Sequence, residues 1–192
     1  MNKKHIITIS GKLGSGKSST AKIVANTLSY EHFSTGVFMR VMAEKRGISL
    51  EELSKMAEND PSIDFEIDNY CRSLGERENI VVDSRLGFHF IPESFKVFLE
   101  LDPEVASKRI LEDKKNNPNR HTEANGSFDT PEKIKEKIIL RLESERKRYK
   151  ELYGIEDQTD HKHFDLVIDT KDTPLEEVAG IVINKYKEWL IK

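Results

Sequence analysis

Gly11-Lys12-Leu13-Gly14-Ser15-Gly16-Lys17-Ser18 has the spacing G-x-x-x-x-G-K-S, close to the start of a 192-residue sequence. An apolar run, Ile6 to Ile9, precedes it, and a helical pattern follows. Glycines let successive backbone N–H groups turn inward around a phosphate with no Cβ in the way. The following helix aims its positive end at the same anion. Lys17 supplies a point charge at the β- and γ-phosphates, and Ser18 offers an oxygen to Mg²⁺. Gly11, Gly14, Ser15, Gly16, Lys17, Ser18 and Ser19 are therefore the expected ATP-binding set. A glycine-rich turn without a ligand is the plain alternative, and the strand, lysine and helix in register argue against it. Asp83, ending the apolar run Ile80 to Val82, stands where a second carboxylate would hold or orient Mg²⁺. A polar residue that merely ends a strand would read the same way.

Such a loop serves switch GTPases, ATP-driven machines and small-molecule kinases alike. A guanine-nucleotide switch needs D-x-x-G and N-K-x-D, and neither is present; Asn184-Lys185-Tyr186-Lys187 lacks the aspartate. A motor ATPase is usually larger. A small-molecule kinase remains.

The residues then reach a resemblance. Ser34-Thr35-Gly36-Val37-Phe38-Met39-Arg40 is similar to the S-T-G-x-x-x-R segment of nucleoside monophosphate kinases. There Thr35 would cap a helix, Gly36 would admit the nucleotide, and Arg40 would grip the acceptor phosphate in a fork. From Ile6 to about Thr170 the chain resembles the cytidylate kinase family in its short form. Asp83-Ser84-Arg85-Leu86 is similar to an acidic-Gly-Arg-Leu segment whose Arg holds the acceptor phosphate, with Ser84 departing from the glycine. Ser144 to Ile155 resembles the helix that follows the lid. Within it Arg141, Glu145 and Arg148 lie at offsets of 4 and 7, on one helix face. The resemblance makes them sugar and phosphate ligands; on spacing alone they are a salt-bridge ladder on a solvated face.

By the same resemblance, Arg109 begins a lid and contacts the donor nucleotide. Asp113 replaces a second lid arginine, which Lys114, Lys115 or Arg120 would have to supply. Thr170 would belong to the donor-adenine loop. Asp64 and Asp68, one turn apart, fall among acceptor-side positions. A carboxylate there would accept from the exocyclic amine of cytosine, which uracil lacks; a solvated acidic face is the alternative. Phe88, His89 and Phe90 are offered either as a base-packing cluster or as core.

These residues need a scaffold. Short apolar strands alternate with helical segments, which predicts a parallel sheet covered on both faces, an α/β P-loop fold of five strands. Strands are expected at Ile6–Ser10, His32–Ser34, Ile80–Val82, Phe95–Leu101 and Leu166–Ile168. Helices are expected at Lys17–Ser29 and at Val37–Arg46, the latter with Val37, Val41 and Met42 on one side. A Ser49/Glu52 capping box opens another toward Asn59. Ile63–Leu74, Asp102 to about Lys115, Thr130–Tyr153 and a last helix capped by Thr173 complete the set. The whole reads as one kinase domain, with an acceptor-binding region over 34–78 and a lid over 109–130.

Lys+Arg 31 against Asp+Glu 34 excludes a polybasic nucleic-acid wrapper. Residues 107–150 carry 13 basic and 8 acidic side chains, so the excess of positive charge is local. One cysteine, Cys71, forms no internal disulfide, and no apolar stretch approaches the ~18 residues of a membrane span. The expectation is a cytoplasmic monomer whose partners are small nucleotides, with neither nucleic acid nor membrane. The reaction expected is ATP-dependent phosphorylation of CMP or dCMP. A kinase for another monophosphate or metabolite, or a nucleotide-binding regulator with weak turnover, stays open beside it.

Overall fold

The computed structural model describes residues 3–116 and 130–192. Five strands, β1 (Ile6–Gly11), β2 (Glu31–Ser34), β3 (Ile80–Asp83), β4 (Phe95–Glu100) and β5 (Leu166–Asp169), form one parallel sheet in the order β2-β3-β1-β4-β5. Among the described residues eight α-helices accompany them: α1 (Lys17–Leu28), α2 (Thr35–Lys45), α3 (Leu50–Met56), α4 (Pro61–Leu74), α5 (Gly87–Phe90), α6 (Pro103–Asn116), α7 (Pro131–Tyr153) and, after the last strand, α8 (Leu175–Leu190). This is the α/β P-loop architecture the alternation predicts.

The period of two divides the central strand between two cores. Ile7 and Ile9 face α1 and α8, packing with Val24, Val97, Val182 and Tyr186. Ile6 faces the other way, with Ile80, Val82, Cys71 and Leu74. Both faces are covered, so the strands read as nearly continuous apolar runs. In an open parallel sheet the crevice beyond the carboxyl ends is where ligands bind. There β1 runs into the glycine loop, β2 into α2, and β3 into Ser84-Arg85.

The helices α2, α3 and α4 form an excursion between β2 and β3 with an apolar cluster of its own, including Met42, Leu53, Ala57 and Ile63. The Ser49/Glu52 capping box is present. The expected side of α2 holds only in part: Met42 is buried, but Val37 and Val41 are exposed, and Phe38 and Met39 pack inward in their place. The helix begins earlier, at Thr35 with Ser34 as cap, and α3 and α4 pack against the side that carries Met42 and Ala43. Thr173 does not cap α8. That helix starts after Pro174 without a side-chain cap, and the Thr173 hydroxyl donates to the carbonyl of Asp169. Among the described residues no helix is long and apolar enough to cross a membrane.

Candidate active site

The glycine loop is shaped by close approach. A Cβ on Gly11 would lie 2.5 Å from the carbonyl oxygen of Leu99 on β4, so only glycine fits. Gly16, the residue before α1, has φ 86°, which delivers the chain into the helix from the left-handed region. Lys17, the first residue of α1, is buried and its Nζ donates to the Lys12 carbonyl at 3.4 Å. Lys12 pairs with Glu100 at the end of β4. The Ser15 hydroxyl is buried with no partner among the described residues. An orphaned donor inside a cationic loop at a helix N-terminus suits a phosphate oxygen.

Ser18 and Asp83 meet, as their motifs require: Ser18 Oγ donates to Asp83 Oδ2 at 2.5 Å, and Ser34 Oγ reaches the same oxygen at 3.2 Å. A hydroxyl and a carboxylate on adjacent elements are hard oxygen ligands of the kind Mg²⁺ takes beside phosphate and water. The residues present therefore fit the metal. Thr35 Oγ1 also donates to the Asp83 carbonyl, at 3.4 Å, which ties the start of α2 to the end of β3.

Across the cleft the charges are paired, the carboxylates buried and the arginines partly so. Glu145 of α7 accepts from Arg85 Nε at 2.5 Å and from Arg141 Nε at 2.9 Å. Burial alone would push the Glu145 carboxyl up, but the two guanidiniums outweigh it and hold it below the usual range. Arg148 Nε approaches Asp64 Oδ2 at 3.0 Å without hydrogen-bond alignment, so this contact is an ion pair. The Asp64 carboxyl is raised by burial, which Arg148 only partly opposes. Asp68, one turn along α4, accepts from the hydroxyl of Tyr153. Burial pushes its carboxyl up to about 6 against that hydrogen bond, with Asp64 adding to the rise.

These groups line one cleft of about 360 Å³, together with Lys17, Thr35, Gly36 and Asp83. Asp64 and Asp68 are each 5% exposed and line it, so the solvated acidic face is set aside. Of the expected trio on α7, Arg141 and Glu145 do form an i,i+4 pair, but a buried one. Glu145 takes its second partner from the Asp83-Ser84-Arg85 turn rather than from Arg148. Ser84 needs no glycine there: its φ is not positive, its carbonyl accepts from Ser10 Oγ at 2.7 Å, and its hydroxyl lies 3.7 Å from Cys71 Sγ.

An expected acceptor arginine and two expected donor-side residues do not line this cleft. Arg40, one turn into α2, is half-buried, does not line the cleft and has no ion pair or hydrogen bond among the described residues. Arg109 also lies outside it, because its guanidinium donates to the carbonyls of Thr170 and Lys171, both at 2.7 Å. The Thr170 hydroxyl is turned inward onto the Glu100 carbonyl. Arg109 of α6 thus clasps the loop beyond β5 that holds Thr170, and neither residue lines the cleft. The segment expected as a lid continues α6 as far as Asn116; Arg120 and the rest of it, to 129, lie outside the described residues. Phe88 stacks on His163 at 4.7 Å and packs with Leu86 and Tyr149, so it belongs to the core rather than to a base pocket.

Residues 6–172 match the model of the cytidylate kinase-like family. The chain belongs to that family. Cytidylate kinase-like relatives include the cytidylate kinase of Methanosarcina mazei, 39% identical over 86% of this chain and 87% of that protein. The cytidylate kinase of Halobacterium salinarum is 35% identical over 93% of this chain and 88% of its own. A longer relative is named an S-adenosylmethionine-dependent nucleotide dehydratase, from Lacinutrix mariniflava. It is 37% identical over 96% of this chain, which spans only 36% of its length. Among solved structures, the shikimate kinase of Bacteroides thetaiotaomicron superposes with a TM-score of 0.64 at 16% identity, covering 97% of this chain and 98% of that one. A gluconokinase from Sinorhizobium meliloti gives 0.61 at 17% identity, covering 99% and 96%. These last two establish the fold alone. This member of the cytidylate kinase-like family is a kinase-type enzyme with a nucleotide-binding P-loop fold.

Two cleft features of this family member escape sequence reasoning. Tyr153 reaches Asp68 across 85 residues of chain, and nothing local marks it, although Tyr149 and Tyr153 at i,i+4 share a face of α7. The Asp64–Arg148 pair joins two helices whose charges look ordinary in isolation.

Proposed function

We propose that the enzyme transfers the γ-phosphoryl group of ATP to a phosphate oxygen of CMP or dCMP, giving ADP and (d)CDP. The observation that carries this reading is the convergence of Arg85, Arg141 and Arg148 on a cleft that Lys17 also lines. Three guanidiniums facing a phosphate cradle suit a second anion better than a neutral alcohol, because Arg forks match phosphate geometry. The cytidylate kinases among its relatives support the base, and so does chemistry: Asp68 is a carboxylate able to accept from the cytosine amine.

The chain's own residues act chiefly by positioning. The acceptor phosphate is already ionised, so no general base is required, and the loose transition state calls for alignment and charge neutralisation. The glycine-loop amides and Lys17 hold the donor's β- and γ-phosphates. Arg85, Arg141 and Arg148 hold the acceptor, and Glu145 fixes two of the three. Mg²⁺, held by Ser18 and by Asp83 directly or through water, would neutralise the phosphate oxygens during transfer. Arg40 lies one helical turn from Thr35 and Gly36, which line the cleft, and is assigned to the acceptor phosphate.

The test is ADP production measured across CMP, dCMP, UMP, AMP, GMP, shikimate and gluconate. The reading expects CMP or dCMP to give the highest kcat/KM. Preference for another monophosphate corrects the base, and turnover only with a sugar acid would overturn the acceptor class.

A further inference from the structure

A second cavity of about 70 Å³ adjoins the cleft and shares Arg85, Arg141 and Glu145 with it. Gly11, Lys12 and Gln158 also line it. Gln158 is 4% exposed, and neither its Nε2 nor its Oε1 has a hydrogen-bond partner among the described residues. Buried polar atoms are nearly always satisfied, so an amide with both groups orphaned requires an explanation.

Its neighbours keep it in place. Gly154 ends α7 in the left-handed region, with φ 68°, and Ile155 is buried just beyond. Asp157 accepts from Thr159 N at 2.8 Å and Oγ1 at 2.7 Å, and pairs with Arg146 at 2.7 Å. The chain is pinned on both sides of Gln158, and its side chain is directed inward. About 10–15 Å³ of such space suffices for one water, given two to four polar partners. The cavity has room for more than one; apolar side chains such as Phe98, Leu101 and Ile138 make up most of its wall, and Gln158, Arg85, Arg141 and Glu145 are its polar members.

We infer that Gln158 is a positioning residue for the Arg85–Glu145–Arg141 array, acting through water held in this second, partly open cavity. The amide offers one donor group and one acceptor, so bridging water can link it to guanidinium N–H groups and to the Glu145 carboxylate together. Two arginines on different elements are thereby held at a fixed angle before the acceptor arrives. The inference rests on the reading of those arginines as phosphate ligands, but its structural half can be tested without turnover.

The experiment combines a high-resolution crystal structure of the full chain with kinetics of Gln158→Leu and Gln158→Asn. Leucine fills the same space without a polar atom, so it removes the bridge while sparing the fold. A purely structural amide would then leave kcat alone, and thermal stability would hold or rise. The inference expects stability to hold while kcat falls about tenfold, short of the ~10²-fold cost of a full ångström of misplacement. The KM for ATP should stay within a factor of about two, and Gln158→Asn should recover part of kcat. Ordered water touching both Gln158 and Arg85, Arg141 or Glu145 is expected in the crystal. A dry cavity, or a Gln158→Leu enzyme with kcat within twofold of the parent, would overturn it. If the parent phosphorylates no monophosphate, the reaction assigned above fails; the water structure alone then decides the role of Gln158.

Discussion

Glu145 is the residue on which the cationic wall depends, and Glu145→Gln is the substitution that isolates its charge. The amide keeps the volume and one acceptor oxygen, but it turns a donor group toward a guanidinium. Glu145 is 6% exposed, and the side chains of Arg85 and Arg141 are 18% and 19% exposed. Removing one partner from a buried pair costs about 3–5 kcal/mol, because the remaining charge is left uncompensated. Both arginines keep some access to water, so the low end, about 3 kcal/mol, applies here. For a chain of this size about 1 kcal/mol moves Tm by roughly 2–4 °C, so a drop of about 6–12 °C is expected by differential scanning fluorimetry. An acceptor phosphate would return negative charge to the freed arginines. The Tm rise on adding CMP should therefore be larger in the variant than in the parent, while kcat falls through lost alignment. A variant that melts within about 2 °C of the parent, with unchanged kcat, would refute the organising role.

Other outcomes follow from the same geometry. Lys17→Ala removes the donor-side point charge and should lower kcat by at least the ~10²–10³ associated with one preorganised donor, measured by ADP release with CMP. Arg40→Ala breaks no contact among the described residues, so Tm should shift by less than about 0.5 kcal/mol equivalent, whereas kcat/KM for CMP should fall; unchanged kcat/KM would remove Arg40 from the acceptor site. Asp68 is a carboxyl raised to about 6 in the folded chain from an ordinary 3.8. Folding therefore favours its protonated form, and its destabilising effect is full above about 6 and gone below 3.8. Asp68→Asn should accordingly raise Tm at pH 8 and not at pH 4, read by melting curves across that range. In the parent, preference for CMP over UMP should weaken as pH falls through about 6, and Asp68→Asn should flatten that profile.

The glycine loop and its helix were legible because their chemistry is local: eight consecutive residues carry both the backbone shape and the charge. The parallel sheet was legible for a similar reason, since strands covered on both faces must be apolar throughout. The buried face of α2 was legible only at Met42, because Val37 and Val41 satisfy a helical period with it as well as Phe38 and Met39 do. Only the position of α3 and α4 decides between them. Arg141 and Glu145 could be placed on one face from spacing, but Arg85 arrives from β3, 60 residues away. No period encodes that pairing. Gln158 left no trace at all: a glutamine in a polar loop reads as surface until the walls around it are known. Residues that act through the fold, rather than through their neighbours in sequence, are the ones a linear reading passes over.

The most direct measurement uses ATP labelled at the γ-phosphate, incubated with Mg²⁺ and CMP, with the products separated by chromatography. The account predicts label in the β-phosphate of CDP, formed at the rate at which ADP appears. Label released only as inorganic phosphate at an unchanged rate, with CMP recovered intact, would contradict it.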